Sequence, residues 1–211
     1  MPAMLDEDMM GRDPAVVGFP HLLVCMGFVA RTNADLWGVH LTTVVNSPGT
    51  FAAFWTWAQT KGLGTGAITD IYGSGNHRVR YGTNTAPAGW GAWNVEMQGY
   101  ANHMGWNGPA HGFDTSIINP QDGTYVEYQL QLAGAQPCTI FYKRNEKTVP
   151  TGTTTVNYAG GAGDVAAWDH AQNRFRGMAF PKTGVIGRVS TFHKGTFHEL
   201  DYALRMRTVA V

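Results

Sequence analysis

The sequence predicts an α+β fold: a single domain, built as a β-sandwich of mixed sheets with one or more packed helices. Three observations predict it. Short apolar or alternating segments recur along most of the chain. Gly- and Pro-containing turn signals separate them. One stretch alone, residues 46–62, carries a helix start, a helical apolar stripe and a helix stop. A chain of 211 residues with 44% apolar content fits one domain with a sizeable core.

The elements follow in order. Residues 1–17 are largely polar, hold two Pro-Ala steps and show no period, which predicts a flexible N-terminal arm before a domain spanning 18–211. Residues 21–30 are almost continuously apolar, 31–35 form a polar turn, and 36–43 are apolar again. Run, turn and run predict a β-hairpin. In 46–62, Ser47 can cap the helix and Pro48 suits its first position. Phe51, Phe54, Trp55 and Ala58 make its apolar stripe, and Gly62 its stop. A strand over 67–72 leads into a flexible Gly/Ser run at 73–76, and 77–81 reads as a further strand. In the Trp-, Gly- and Asn-rich stretch 87–112, Trp93, Val95 and Met97 alternate with Asn94, Glu96 and Gln98, which predicts a strand.

The second half is read as mostly β. Val126, Tyr128, Leu130 and Leu132 alternate with Glu127, Gln129 and Gln131, the pattern of a half-buried strand. Residues 139–143, 153–158, 184–192 and 200–209 are further strands, with turns at 120–123, 150–152 and 160–163.

Composition narrows the function. Fifteen basic residues balance fifteen acidic ones, with no basic stripe, so no nucleic-acid partner is expected. The longest apolar runs, such as 22–30, reach about half a membrane span, so no membrane partner is expected either. The first residues lack a basic n-region and an apolar h-region, which points to a cytoplasmic chain. Two cysteines cannot build a disulfide framework. The glycines of 73–75 and 160–163 fit neither a phosphate loop nor a dinucleotide fingerprint, so no cofactor is expected. The pairs His103/His111 and His193/His198, the latter with Glu199, lack tight metal-site spacing, so no metal is expected. Cys138 shares a strand face with Ile140 and Tyr142 and reads as core.

The hairpin holds the chemistry. Cys25 and His40 stand on its two arms. With Thr32-Asn33 as the turn they face each other directly. With Asn33-Ala34 as the turn, Cys25 faces Thr42, and His40 is its diagonal neighbour. One face carries Leu22, Val24, Met26 and Phe28 opposite Trp37, Val39 and Leu41 and reads as core. The other carries His21, Leu23, Cys25, Gly27 and Val29 opposite Leu36, Gly38, His40 and Thr42 and reads as the face with room for a ligand. A thiolate is the reactive form of cysteine, and a neighbouring imidazole can generate it and later protonate a leaving amine. Thr42, His21, Asn46, Asn76 or a backbone carbonyl can orient the histidine. Trp90, Trp93, Tyr100 and Trp106 could instead serve as an exposed binding surface.

The order of a Cys strand, a His strand, a capped helix and a strand ending in glycines resembles the chemoreceptor glutamine deamidases and the related cytotoxic-necrotizing-factor and Burkholderia lethal-factor toxins. The resembling pieces are residues 25–30, Gly38-Val39-His40-Leu41-Thr42, the helix from Ser47, and Asp70-Ile71-Tyr72-Gly73-Ser74-Gly75. They cover well under a quarter of the chain. The resemblance implies Cys25 as nucleophile and His40 as base; Thr42 is grouped with them as the third catalytic residue on the reading of the hairpin face, not on the resemblance. Gly27, Gly38, His21, Asn76, Trp90 and Trp93 would border the substrate. The substrate would be a protein glutamine, hydrolysed to glutamate through a thioester. The same resemblance implies a bacterial toxin or effector, reaching a host cytosol without a cleavable signal. The chain departs from these enzymes at Leu23-Val24, where they carry Ser or Gly, and at Phe19, where the chemoreceptor enzymes carry Thr. Transglutamination or peptide cleavage would use the same pair. A different class of function is a lectin-like or protein-binding module using the Trp-rich segment 90–106.

Overall fold

The computed structural model describes residues 3–5, 7–82, 86–117, 123–130, 138–144, 165–169, 174–176, 198–199 and 206–210. The chain runs β1 (Ala3–Met4), β2 (Met9–Asp13), β3 (Val16–Leu22), β4 (Met26–Arg31), β5 (Leu36–Leu41), α1 (Ser47–Thr60), β6 (Asp70–Gly75), α2 (His77–Arg80), α3 (Ala86–Met104), β7 (Pro109–Asp114), β8 (Thr124–Leu130), β9 (Cys138–Arg144), β10 (Val165–Asp169), β11 (Arg174–Arg176), β12 (His198–Glu199) and β13 (Met206–Ala210). The strands form a five-stranded sheet, β1-β3-β8-β9-β12, and an eight-stranded sheet, β11-β10-β2-β5-β4-β6-β7-β13. Both are mixed, because β1 runs parallel to β3 and β6 parallel to β7. With its helices this is a single-domain α+β fold. Among the described residues no helix is long and apolar enough to cross a membrane.

The turn of the central hairpin sets its register. The Thr32 amide donates to the Asp35 carbonyl (2.9 Å), and Thr32 Oγ1 accepts from the amides of Ala34 (3.1 Å) and Asp35 (2.9 Å). Asn33 and Ala34 are therefore the turn residues, and Gly27 pairs with His40. One face of this sheet packs on the helices: Met26, Phe28, Trp37, Val39 and Leu41 share a core with Phe51, Phe54, Trp57, Trp93, Met97 and Tyr100. The other face packs on the five-stranded sheet. There Cys25, Val29, Leu36, Tyr72 and Phe113 meet Val17, Phe19, Tyr125, Tyr128 and Ile140.

Four expectations are corrected. The described part of 1–17 is not an arm: β2 lies inside the large sheet, paired with β5 and β10, and Leu5, Met10 and Val17 are buried. Spaced single apolar residues suffice for a strand whose neighbours are distant in sequence. The run 21–30 is not one strand. A bulge between Phe19 and Leu22, with a left-handed His21 (φ 57°), breaks the register within β3, which ends at Leu22, and β4 begins only at Met26 in the other sheet. Residues 73–76 are not a flexible run, because Gly73, Ser74 and Gly75 lie buried in β6. Residues 77–81 and 93–97 are helical rather than extended, in α2 and α3. In α3 the buried residues are Trp93, Met97, Tyr100, Ala101 and Met104, a helical spacing. Val95, the middle member of the alternation, is 75% exposed.

Helix α1 forms where expected, but Asn46 takes the N-cap position. Ser47 instead donates its hydroxyl to the Thr43 carbonyl (2.8 Å). Gly62 (φ 94°) ends the helix in the left-handed region, with the Leu63 amide returning to Ala58 O (2.9 Å). The strands expected near 126–132, 139–143 and 200–209 correspond to β8, β9 and β13. The strands expected over 153–158 and 184–192, and the turns at 150–152 and 160–163, lie outside the described residues.

A Cβ built on Gly38 would stand 2.7 Å from Val17 Cγ1 and 2.8 Å from Leu5 Cδ1. Gly38→Ala is therefore expected to destabilise the fold by about 1–3 kcal/mol through overpacking. Gly49→Ala, on α1 with nothing within 4 Å, is expected to be neutral or stabilising. Urea denaturation of both variants checks the pair.

Candidate functional site

The Asn33-Ala34 register pairs His40 with Gly27, two residues after Cys25, which lies immediately before β4. His40 is fully buried, and its Nδ1 lies 2.8 Å from the Leu5 carbonyl oxygen. A carbonyl only accepts, so Nδ1 carries the proton and Nε2 is the basic nitrogen. The Asp8 amide donates to the His40 carbonyl (3.0 Å), and the Leu5 amide to Gly18 O (2.8 Å), so the segment after β1 lies along this site. A third strand closes it: a Cβ on Gly75 would stand 2.9 Å from the Cys25 carbonyl oxygen.

Cys25 has no exposed surface, and its thiol donates to Glu7 Oε1 at 3.5 Å. Burial, then the charge and hydrogen bond of Glu7, push the thiol well above its ordinary range, while Arg80 pulls the other way. Cys25 is therefore a protonated thiol at neutral pH. Burial above all pushes Cys138 up to about 12, against the opposing charge of Arg31, and it lies in the core as expected.

The other expected site residues fall differently. Gly27 and Gly38 do not make room for a substrate. A Cβ on Gly27 would stand 2.6 Å from the Phe19 ring, and Gly38 lies under Val17 and Leu5, so the second sheet fills that space. His21 is exposed, with its ring against Gly123. Asn76 is buried as the N-cap of α2, its Oδ1 accepting from the Val79 amide (3.1 Å). Thr42 is half-buried and offers its carbonyl to Arg80. Trp93 is fully buried beneath β6, its Nε1 donating to Gly73 O (3.2 Å). Trp90 is partly buried against the same core, edge-on to Trp93 and His77. Neither tryptophan forms an exposed platform.

Sequence reasoning missed the charged hub beside the site. The Arg80 guanidinium is buried and donates to the carbonyls of Val24 (2.8 Å) and Thr42, to Ser47 Oγ (2.8 Å) and, through two nitrogens, to the Glu96 carboxylate. Glu96 also accepts from the hydroxyls of Tyr81 (2.7 Å) and Tyr100. Burial pushes the Glu96 carboxyl up, but these donors outweigh it and hold the group below its ordinary value. A signal existed: Ala92, Glu96, Gly99, Tyr100 and His103 fall on one helical face. They line a cleft of about 480 Å³ with Val44, Pro48, Phe51 and Tyr81. Two further pairs were also missed. His111 Nε2 lies 2.9 Å from Asp70 Oδ1, with Arg31 on the second oxygen (2.8 Å), and His77 lies 3.9 Å from Asp114. Among the described residues no three His, Cys, Asp or Glu side chains gather as a metal site.

No protein-family model matches the chain, and no curated protein does.

Arg80→Met leaves the Glu96 charge buried without its cation, and a loss of about 3–5 kcal/mol is expected in chemical denaturation. The folded Glu96 carboxyl lies below its ordinary 4.5. Its contribution is therefore complete above that pH and is lost as pH falls through the folded value. Stability measured from pH 7 downward is expected to fall more steeply in the wild type than in Glu96→Gln.

Proposed function

We propose that the chain is a protein-glutamine deamidase acting through Cys25 and His40. The observation that carries the reading is the fixed His40 ring. Its Nδ1 is tied to the Leu5 carbonyl, and Nε2 is the basic nitrogen on the face it shares with Cys25. An orienting group that fixes the tautomer is what a cysteine–histidine pair requires. Here a backbone carbonyl fills that role, and Thr42 is not needed for it.

In this reading His40 Nε2 takes the Cys25 proton, and the sulfur attacks the glutamine carboxamide carbon. The tetrahedral intermediate expels ammonia with the proton returned by His40, leaving a thioester. Water activated by His40 then hydrolyses the thioester, releasing glutamate and the thiol. Arg80 supplies the positive charge that favours the thiolate. A protein substrate suits the surface nearby. Val24, next to Cys25, is exposed, and so are Val44, Val45 and Val95 around the Arg80–Glu96 hub.

The test is mass spectrometry of candidate target proteins after incubation with the chain. Each deamidated glutamine adds about one dalton. The gain is expected with wild type and absent with Cys25→Ser and His40→Ala. A gain produced equally by all three would overturn the reading.

A further inference from the structure

Cys25 meets no substrate while it is covered by the inter-sheet core, and the polar group on its sulfur is the Glu7 carboxylate. Glu7 lies between two anchor points. On one side Leu5 is pinned by its amide to Gly18 and by its carbonyl to His40. On the other, the Asp8 amide holds the His40 carbonyl (3.0 Å), and Asp8 takes a left-handed φ of 62° that turns the chain back toward the hairpin. Glu7 is an exposed residue, yet its carboxylate reaches inward to the Cys25 thiol at 3.5 Å.

The chemistry of that side chain is the reason to single it out. Glutamate is what deamidation of glutamine leaves, with the same methylenes and a carboxylate in place of the carboxamide. We propose that Glu7 is a built-in product mimic, seated in the glutamine subsite of this chain's own active site. The inference rests on the deamidase reading above. Glu7 holds the site closed, and an incoming glutamine must displace it. Leu5 need not move, so the orientation of His40 survives the opening. The high thiol proton affinity in the closed form agrees with this arrangement.

If Glu7 occupies the subsite, Glu7→Gln places a substrate there in cis. The Cys25 sulfur would then bond to the carboxamide carbon introduced at position 7, and ammonia would leave with a proton from His40. Water would hydrolyse the thioester, returning glutamate at position 7 and the free thiol. Tethering replaces the binding step, so no target protein is needed.

The experiment follows the full chain by intact mass and by peptide mapping of position 7. Glu7→Gln is expected to gain about one dalton at that position, and the gain is expected to vanish when Cys25→Ser or His40→Ala is added. In parallel, Glu7→Ala is expected to raise the rate of Cys25 alkylation by iodoacetamide about tenfold at neutral pH, with Cys138 unchanged. If Glu7→Ala leaves Cys25 alkylation unchanged, Glu7 does not occupy the subsite and the proposal falls, whatever the chain does to other proteins. If alkylation rises but the carboxamide at position 7 persists in Glu7→Gln while wild type deamidates a target, product mimicry falls and the deamidase reading stands. If alkylation rises, that carboxamide persists and no target gains mass, both fall.

Discussion

The Arg80 guanidinium is the point at which the end of the central hairpin, α1 and α3 are joined. Removing a cation and a carboxylate from water costs several kcal/mol per ion, and that cost is offset only when both are well supplied with partners. Here each is. Arg80 divides its donors among Val24 O, Thr42 O, Ser47 Oγ and Glu96, and Glu96 accepts from Arg80, Tyr81 and Tyr100. Those partners come from the turn before β4, the end of β5, the first turn of α1, and α3. Arg80 itself sits at the end of α2, a helix of four residues that has no stability alone. The ion pair therefore fixes the short helix, and the short helix fixes the open end of the hairpin where Cys25 and His40 lie.

The hairpin was legible in the sequence, and so was its register, as one of two possibilities. Thr32 and Asp35 close the turn through local hydrogen bonds that a short segment can specify by itself. Alternation then assigned residues to faces correctly for Met26, Phe28, Trp37, Val39 and Leu41, but not for Leu22, which packs between the sheets, or Val24, which is exposed, because both lie before β4 begins. What alternation cannot supply is the layer that covers a face. Two glycines and a histidine read as space for a ligand, and they are equally the imprint of a bulky neighbour. Phe19, Val17 and Leu5 are that neighbour, and they belong to segments outside the hairpin. The Leu5 carbonyl as the orienting group was hidden for the same reason. It is a backbone atom, in a stretch whose side chains gave no sign of a strand.

Helix α3 shows local preference yielding to packing. Gly89, Gly91 and Gly99 weaken a helix, and the polar–apolar alternation across 93–98 mimics a strand. The long-range gain decides otherwise. As a helix, Trp93, Met97, Tyr100, Ala101 and Met104 enter the same core as Phe28, Phe51 and Phe54, and Phe51 stacks on Tyr100 with ring centroids 4.2 Å apart. Val95 is left exposed, and Glu96 is brought to Arg80. A strand would have turned Glu96 to the face opposite Trp93 and Met97 and separated it from Tyr100. The missed helix and the missed ion pair therefore have one cause.

The two thiols of the chain separate burial from function. Burial raises the proton affinity of both, so neither is reactive by position alone. The charges around them differ in kind. Near Cys138 the cation of Arg31 is already joined to Asp70, which in turn holds His111, so the local charges form a closed set. At Cys25 the balance lies between Arg80, fixed in the interior, and Glu7 and Asp8, carried on the segment after β1. Arg80 cannot leave without dismantling the hub, whereas Glu7 is an exposed residue. On the proposal, its departure would take the Glu7 carboxylate off the sulfur with Arg80 still in place. On the proposed reading, access and activation are coupled through one side chain, and a thiol held protonated until a substrate displaces that side chain would be protected from adventitious alkylation and oxidation.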